Sequence, residues 1–383
     1  MFDDLKDAIS YIESKRTKRT FLDFQALLTR YHFDTNLKNV IHVAGTNGKG
    51  STTVMMRDLL RNHGYHVGTF TSPYIINHNE RICVDGQSIS DGDLLRIINQ
   101  LYPMIEKENL SMFEIDVCIM LQYFHELSLD YHIIECGIGG LNDKTNVIMS
   151  KVAVITNIGY DHQFMLGDTL MDIARHKAGI IKDHVPLWTT VNQSEIIQLL
   201  QETCHLHHSI CHQVVVKKQE HYPYTIHFKK KDYYLQQPSY QVSNFTLALH
   251  VVDNLIDIKE ELIQKTIDQF YWPCRFEKIG HLYLDGAHNI DGIKALLQTI
   301  QEQQLQDIGI VFSALNDKDI QDMLEMLKDY DVIIASFDDE RSDHHHVNYQ
   351  EAISLMQTKH ETVIVTGSLH FVSTVRKYVT SAF

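Results

Sequence analysis

Lys49 stands in Gly45-Thr46-Asn47-Gly48-Lys49-Gly50-Ser51, directly after the apolar run Val40-Ile41-His42-Val43-Ala44. Helix-compatible sequence follows from Thr52 to Asn62. A strand that ends in such a turn and restarts as a helix aims several backbone N–H groups at one point, and the positive end of the helix dipole joins them there. An anion belongs at that point. The loop residues Thr46, Asn47, Gly48, Gly50 and Ser51 would cradle phosphates, Lys49 would add a mobile point charge, and the Ser51 hydroxyl can ligand Mg²⁺. The spacing G-x-x-G-K-G-S differs from the usual G-x-x-x-x-G-K-[ST]. Many βα loops carry two glycines and bind nothing. Three glycines, a lysine and a hydroxyl at one strand-to-helix junction argue instead for a nucleoside triphosphate.

Three further polar residues close other apolar runs. Ser72 ends His66 to Thr71, Glu135 ends Tyr131 to Ile134, and His162 follows Val152 to Asn157. Ser72 and Glu135 are hard oxygen donors suited to Mg²⁺. His162, on residue type alone, reads as a hydrogen-bonded loop histidine.

These residues need a scaffold that gathers strand ends. Helical periodicity runs through Met1 to Tyr31, Ser90 to Lys107 and Phe113 to Leu127, and it alternates with the apolar strands. That alternation predicts an α/β fold with a parallel sheet covered on both faces, whose ligands sit at the carboxyl ends of the strands. Beyond Ile181 the expected elements are strands at Leu187 to Thr190 and Gln213 to Lys217, with a helix between them at Ser194 to Glu202. A hairpin of Tyr224 to Phe228 and Tyr233 to Gln236 turns on Lys229 to Asp232, and two helices reach Phe270. Trp272-Pro273 then punctuates. A second α/β unit follows, with strands at Leu282 to Leu284, Ile308 to Phe312, Val332 to Ser336 and Thr362 to Val365. The domains expected are 1–270 and 271–383, and 383 residues suit two cores better than one.

Bulk composition narrows the class. A net charge of −15 argues against nucleic acid and against an anionic membrane surface. No apolar stretch approaches a membrane span and the N-terminus lacks signal-peptide character, so a cytoplasmic setting is expected. Six scattered cysteines without C-x-x-C fit reduced thiols. His344, His345 and His346 read as a solvated run.

The motifs then resemble a family. Val43 to Ser51 is similar to the ATP loop of folylpolyglutamate and dihydrofolate synthases, within the Mur ligase superfamily. Further stretches resemble that family in order: Phe70-Thr71-Ser72-Pro73, Asn79-Glu80-Arg81-Ile82, Glu135-Cys136-Gly137-Ile138-Gly139-Gly140, Thr156 to His162, Gly167-Asp168-Thr169 with Ile173 to Ile180, Trp272 to Glu277, Leu284 to Asn289, and Asp317-Lys318-Asp319. The resemblance implies a P-loop-type ATPase domain followed by a smaller Rossmann-like domain that closes over ATP and glutamate. It implies a monomer that joins L-glutamate to dihydropteroate or a reduced folate through an acyl phosphate.

On the same resemblance Lys49, His162 and Lys177 are catalytic, and Ser72, Glu135 and His162 hold magnesium. Lys177, otherwise an ordinary helix lysine, would be carbamylated and ligate a second magnesium. Asn244, Arg275, Asp285 and His288 would contact ATP. Taken by itself Asp285 is equally a capping carboxylate in the turn Asp285-Gly286. The chain departs from the family at Leu141 (usually arginine), His176 (usually glutamate), Cys274 (usually glycine) and Ser239-Tyr240-Gln241. The ATP and metal positions keep the family's residue types, whereas positions nearer the acceptor differ. Two other readings stay open: a Mur-type ligase with another carboxylate acceptor, and a non-catalytic ATP-binding paralogue.

Overall fold

The structure, a computed structural model, describes residues 1–217, 222–315, 320–339, 341–342 and 346–381. Asp317, Lys318 and Asp319, with His344 and His345, lie outside the described residues. The chain forms two compact units, Met1–Val216 with Ser243–Phe270, and Lys217–Val242 with Tyr271–Phe383.

The first unit carries strands β1 (Val40–Ala44), β2 (Val67–Phe70), β3 (Ile82–Val84), β4 (Gln87–Ser88), β5 (Tyr131–Glu135), β6 (Val152–Ile155), β7 (Leu187–Thr189) and β8 (Cys211–Gln213). They pair as β4-β3-β2-β5-β1-β6-β7-β8. From β2 to β8 the pairing is parallel, while β3 and β4 add an antiparallel edge. Every residue of β1, β2, β5 and β6 is buried, as expected of strands covered on both faces. Around the sheet lie α1 (Leu5–Glu13), α2 (Phe21–Arg30), α3 (Lys49–Asn62), α4 (Asp91–Glu108), α5 (Met112–His125), α6 (Gln163–Leu166), α7 (Leu170–Ala178) and α8 (Ser194–Leu206). Ser90 caps α4, its side chain accepting from Asp93 N. Ser111 and Glu114 form a reciprocal capping box that starts α5. Phe24, Leu27, Ile97, Ile98, Ile115 and Phe124 centre one apolar cluster; Ile155, Ile173, Ala174, Leu187 and Leu200 centre another.

The second unit begins with a hairpin of β9 (Tyr224–Phe228) and β10 (Lys231–Leu235). Its turn is shorter than the one expected, because Lys229 takes φ 54° and Lys231 already pairs with Phe228. The hairpin clusters with the second unit rather than with residues 1–216, and the Tyr224 hydroxyl donates to Glu302 across 2.6 Å. Helix α9 (Tyr240–Asp253) and α10 (Glu260–Gln269) follow, and from Ser243 to Phe270 the chain belongs to the first unit.

The remaining strands are β11 (Arg275–Ile279), β12 (Leu282–Asp285), β13 (Ile308–Phe312), β14 (Asp331–Ser336), β15 (Val347–Asn348) and β16 (Thr362–Thr366). They pair as β11-β12-β16-β13-β14-β15, parallel except for β11. Helices α11 (Ile290–Glu302), α12 (Ile320–Met326), α13 (Tyr349–Lys359) and α14 (Leu369–Ser381) complete the unit. Strand β11 has no counterpart in the sequence reading. It is a charged edge, Arg275-Phe276-Glu277-Lys278, whose alternation is broken by a bulge between Arg275 and Glu277. No helix of the described residues is long and apolar enough to cross a membrane.

Candidate active site

Strands β2, β5, β1 and β6 lie side by side and run the same way, so their carboxyl ends share one edge of the sheet. Ser72 follows β2, Glu135 closes β5, the Gly45–Ser51 loop follows β1, and His162 follows β6. Residues distant in sequence meet because parallel strands end together.

The loop's shape depends on two glycines. Gly48 takes φ +81°, and a Cβ there would stand 2.4 Å from Asn244 Oδ1. At Gly45 a Cβ would stand 1.8 Å from Thr156 Oγ1. Neither position admits a side chain without displacing what packs on it, and at Gly48 that neighbour is Asn244. The segment after β6 anchors the other side. Asn157 Oδ1 accepts from Thr46 N (3.2 Å) and Asn47 N (2.8 Å), Thr156 Oγ1 donates to Asn47 O (2.6 Å), and Thr46 Oγ1 donates to Gly159 O (3.1 Å). Helix α3 starts at Lys49, three residues before the expected Thr52, so Lys49, Gly50 and Ser51 form its first turn. First-turn N–H groups point along the axis toward an anion site. Thr156 and Asn157 were quoted only as part of a motif; their role shows in the fold, through two successive amides converging on one carbonyl oxygen.

Lys49 Nζ donates to the carbonyls of Gly45 (3.2 Å) and Thr46 (3.3 Å) and stands 3.9 Å from Glu135 Oε1. The other Glu135 oxygen accepts from Ser72 N at 3.3 Å. Buried Lys177, on the last turn of α7, donates to Gly45 O at 2.8 Å. Lys49 and Lys177 thus contact the loop carbonyls directly, Glu135 stands beside Lys49, and Ser72 is joined to Glu135. His162 takes φ +53°, and its Nε2 stands 3.8 Å from Asp161 Oδ2. Burial, reinforced by the like charge of Lys49, brings the Lys177 pKa down to about 7. A lysine in that state is partly a neutral amine at neutral pH.

The segment after β5 holds α7 in place. Leu141 N donates to His176 O at 2.7 Å, and Asn146 Nδ2 donates to Gly179 O at 3.0 Å. Buried Asp143 ties the segment internally, accepting from Ile138 N and Thr145 N, both at 2.9 Å. Beneath it, His42 Nε2 meets Thr145 Oγ1 at 2.8 Å, and burial pushes His42 down to about 3, so this histidine is neutral.

Within the second unit, Asp285 ends β12 and Arg275 pairs opposite it. Asp285 Oδ1 accepts from Ala287 N at 2.9 Å, the turn contact foreseen for a capping carboxylate, and Oδ2 accepts from the Tyr240 hydroxyl at 3.2 Å. Arg275 Nη1 donates to Gly286 O at 3.4 Å, and His288 Nδ1 meets the same oxygen at 3.0 Å. Arg275, Asp285 and His288 are therefore gathered at one turn. Cys274, where the resemblance would put glycine, takes φ +58°, a backbone conformation that glycine adopts readily.

Ser51, Ser72 and Glu135 each carry a hard oxygen of the type Mg²⁺ takes together with substrate phosphates. Set against known proteins, residues 43–256 match the Mur ligase middle domain, and residues 274–382 match the Mur ligase glutamate ligase domain. The dihydrofolate synthase/folylpolyglutamate synthase of Bacillus subtilis (strain 168) is 34% identical, with 98% of this chain and 99% of that protein aligned. The chain belongs to the folylpolyglutamate synthase/dihydrofolate synthase family of Mur ligases. Among solved structures, this Mur ligase is similar to one described as an FPGS-AMPPCP-folate complex, at TM-score 0.85 and 27% identity, covering 98% of this chain and 99% of that one. It is also similar to a bifunctional folylpolyglutamate synthase/dihydrofolate synthase with Mn, AMPPNP and L-glutamate bound, at TM-score 0.85 and 25% identity, covering 99% and 98%.

Proposed function

We propose that this Mur ligase joins L-glutamate to a pterin-bearing carboxylate, dihydropteroate or a reduced folate, at the expense of ATP. The observation that carries the reading is the contact of Lys49 and Lys177 with the glycine loop at the start of α3, with Glu135 beside Lys49 and Ser72 bonded to Glu135. The reading draws its substrates from relatives whose solved forms hold AMPPCP with folate, or AMPPNP with L-glutamate.

An acceptor carboxylate oxygen attacks the γ-phosphorus, the bond to the β-bridging oxygen breaks, and ADP leaves with the electron pair. The glutamate amine then attacks the acyl carbon, and phosphate departs from the tetrahedral intermediate as the amide forms. Such chemistry needs clamped phosphates and positioned charge rather than a protein nucleophile. The first turn of α3 and Lys49 grip the phosphates; Thr46 and Asn47, tied to Asn157, keep the loop shaped for them. Asn244, packed against the loop, contributes to ATP binding; for Arg275, Asp285 and His288 the ATP role rests on the family resemblance alone.

Ser51, Ser72, Glu135 and His162 would hold magnesium, with Lys177 as a carbamate serving a second ion, and the metal would neutralise the transferring phosphoryl group. Lys177 suits that modification because its buried amine is partly neutral: nitrogen attacks CO₂, the proton leaves, and a cation becomes an oxygen ligand. The setting proposed is a cytoplasmic monomer with reduced thiols, in keeping with six free cysteines.

The test is a substrate panel read by phosphate release. Release is expected only when ATP, L-glutamate and a pteroate-type acid are all present. Equal turnover with no pterin compound, or with simple acids in its place, would remove the folate assignment.

A further inference from the structure

Ser72 is not the end of its hydrogen-bond chain. Arg81, buried in the short helical turn that precedes β3, donates from Nη1 to Ser72 Oγ at 3.2 Å. Its Nε faces Asp116 Oδ2 of α5 at 3.5 Å. The other Asp116 oxygen meets His78 Nε2 at 2.7 Å, and His78 Nδ1 meets Glu13 Oε1 of α1 at 3.1 Å. Glu13 also accepts from the Tyr74 hydroxyl at 2.8 Å, and the Arg81 guanidinium sits 5.2 Å from the Tyr74 ring centre. Two carboxylates and two cations alternate, so the chain is close to neutral although most of it is buried.

We propose that Arg81 is a positioning residue for Ser72, and that the Glu13–His78–Asp116 chain serves to hold Arg81 against that hydroxyl. A serine hydroxyl rotates to suit its partners. A guanidinium occupying one lone pair leaves a narrower arc for the other, and Ser72 N is already tied to Glu135. Two donors of the proposed metal site are thus set relative to each other, as outer partners commonly orient metal ligands.

The backbone around these residues has its own fastening. Glu80 accepts from Ile75 N (3.0 Å), Ile76 N (2.9 Å) and Asn77 N (3.2 Å). The segment therefore keeps its shape without Arg81, and the ion-pair chain acts through Arg81 on the Ser72 side chain.

The inference rests on the reading of Ser72 as a metal ligand, and the experiment separates the two. Mn²⁺ is titrated by electron paramagnetic resonance into the full chain with a nonhydrolysable ATP analogue, alongside the Mg²⁺ dependence of phosphate release. Wild type is compared with Ser72→Ala, Arg81→Gln, Arg81→Lys and Asp116→Asn. Arg81→Gln and Asp116→Asn are expected to weaken Mn²⁺ about 10-fold or more, the scale for outer partners of metal ligands. The Mg²⁺ requirement should rise in parallel, while KM for ATP at saturating Mg²⁺ stays within about twofold, as for loss of a metal-directed contact alone. Arg81→Lys keeps the charge but not the fork, and an intermediate loss supports positioning even where the glutamine variant does not fold. Unchanged Mn²⁺ affinity in the folded Arg81 and Asp116 variants, with Ser72→Ala weakened, would overturn the proposal. Unchanged affinity in Ser72→Ala would instead overturn the ligand reading beneath it.

Discussion

Lys49→Met removes one positive charge and little volume. The lysine side chain is 17% exposed, its ammonium rests on two loop carbonyls, and Glu135 stands 3.9 Å away. An ammonium about 4 Å from a phosphate oxygen contributes about 4 kcal/mol at an effective dielectric constant near 20. Deleting one preorganised electrostatic donor costs about 10²–10³ in kcat, or about 2.7–4 kcal/mol. The two routes agree, so kcat for phosphate release should fall about 10²- to 10³-fold. Lys49 supplies two of the loop's contacts, but Asn157 and Thr156 hold the loop as well, so the melting temperature should move little. Lys49 also helps depress Lys177, and its loss should let the Lys177 pKa rise. The assay is pre-steady-state phosphate release at saturating ATP, acceptor and Mg²⁺, with thermal melting as the control. A folded Lys49→Met enzyme within about fivefold of wild-type kcat would refute the electrostatic reasoning, since less than about 1 kcal/mol would then belong to the charge.

Two further expectations concern ionisation. Lys177→Ala should lose turnover and regain part of it with millimolar short carboxylates that replace the missing oxygens; normal activity without additive would make Lys177 a bystander. For His78, burial alone would depress the pKa, but the Asp116 carboxylate and hydrogen bonds to Asp116 and Glu13 outweigh it and lift it from 6.5 to about 9. A folded value above the unfolded one means this stabilisation is complete below about pH 6.5 and lost as pH rises toward 9. The linkage amounts to about 3 kcal/mol. Urea unfolding of wild type should weaken across that window, and His78→Gln should flatten the slope. An equally steep variant would show that another group titrates.

Strand and helix identity was legible wherever burial on both faces or a repeating apolar stripe left a one-dimensional trace. Strand β5 was read as Tyr131 to Glu135 and strand β13 as Ile308 to Phe312, and both keep those limits. The short edges β3, β4, β11 and β15 were missed. Edge strands need no apolar run, and in β11 a bulge with Phe276 at φ +55° breaks the alternation. The hairpin's membership in the second unit was equally invisible, being settled by contacts such as Tyr224 with Glu302, far apart in sequence.

By itself the sequence determined the chemistry on offer: a glycine loop with Lys49 before a helix, oxygen donors at strand ends, and a lysine in a family-like motif. Those properties are local, set by residue type and spacing over a few positions. Tertiary structure alone decided which of them meet. Parallel pairing in the order β2-β5-β1-β6 sets the ends of four strands beside one another, so that Ser72, Glu135 and Lys49 become neighbours. Burial then turned Lys177 from an ordinary cation into an amine near neutrality, and seated Asn157 beneath the loop and Arg81 behind Ser72. Desolvation and long-range hydrogen bonding depend on what surrounds a group in space, and no spacing along a chain encodes that directly.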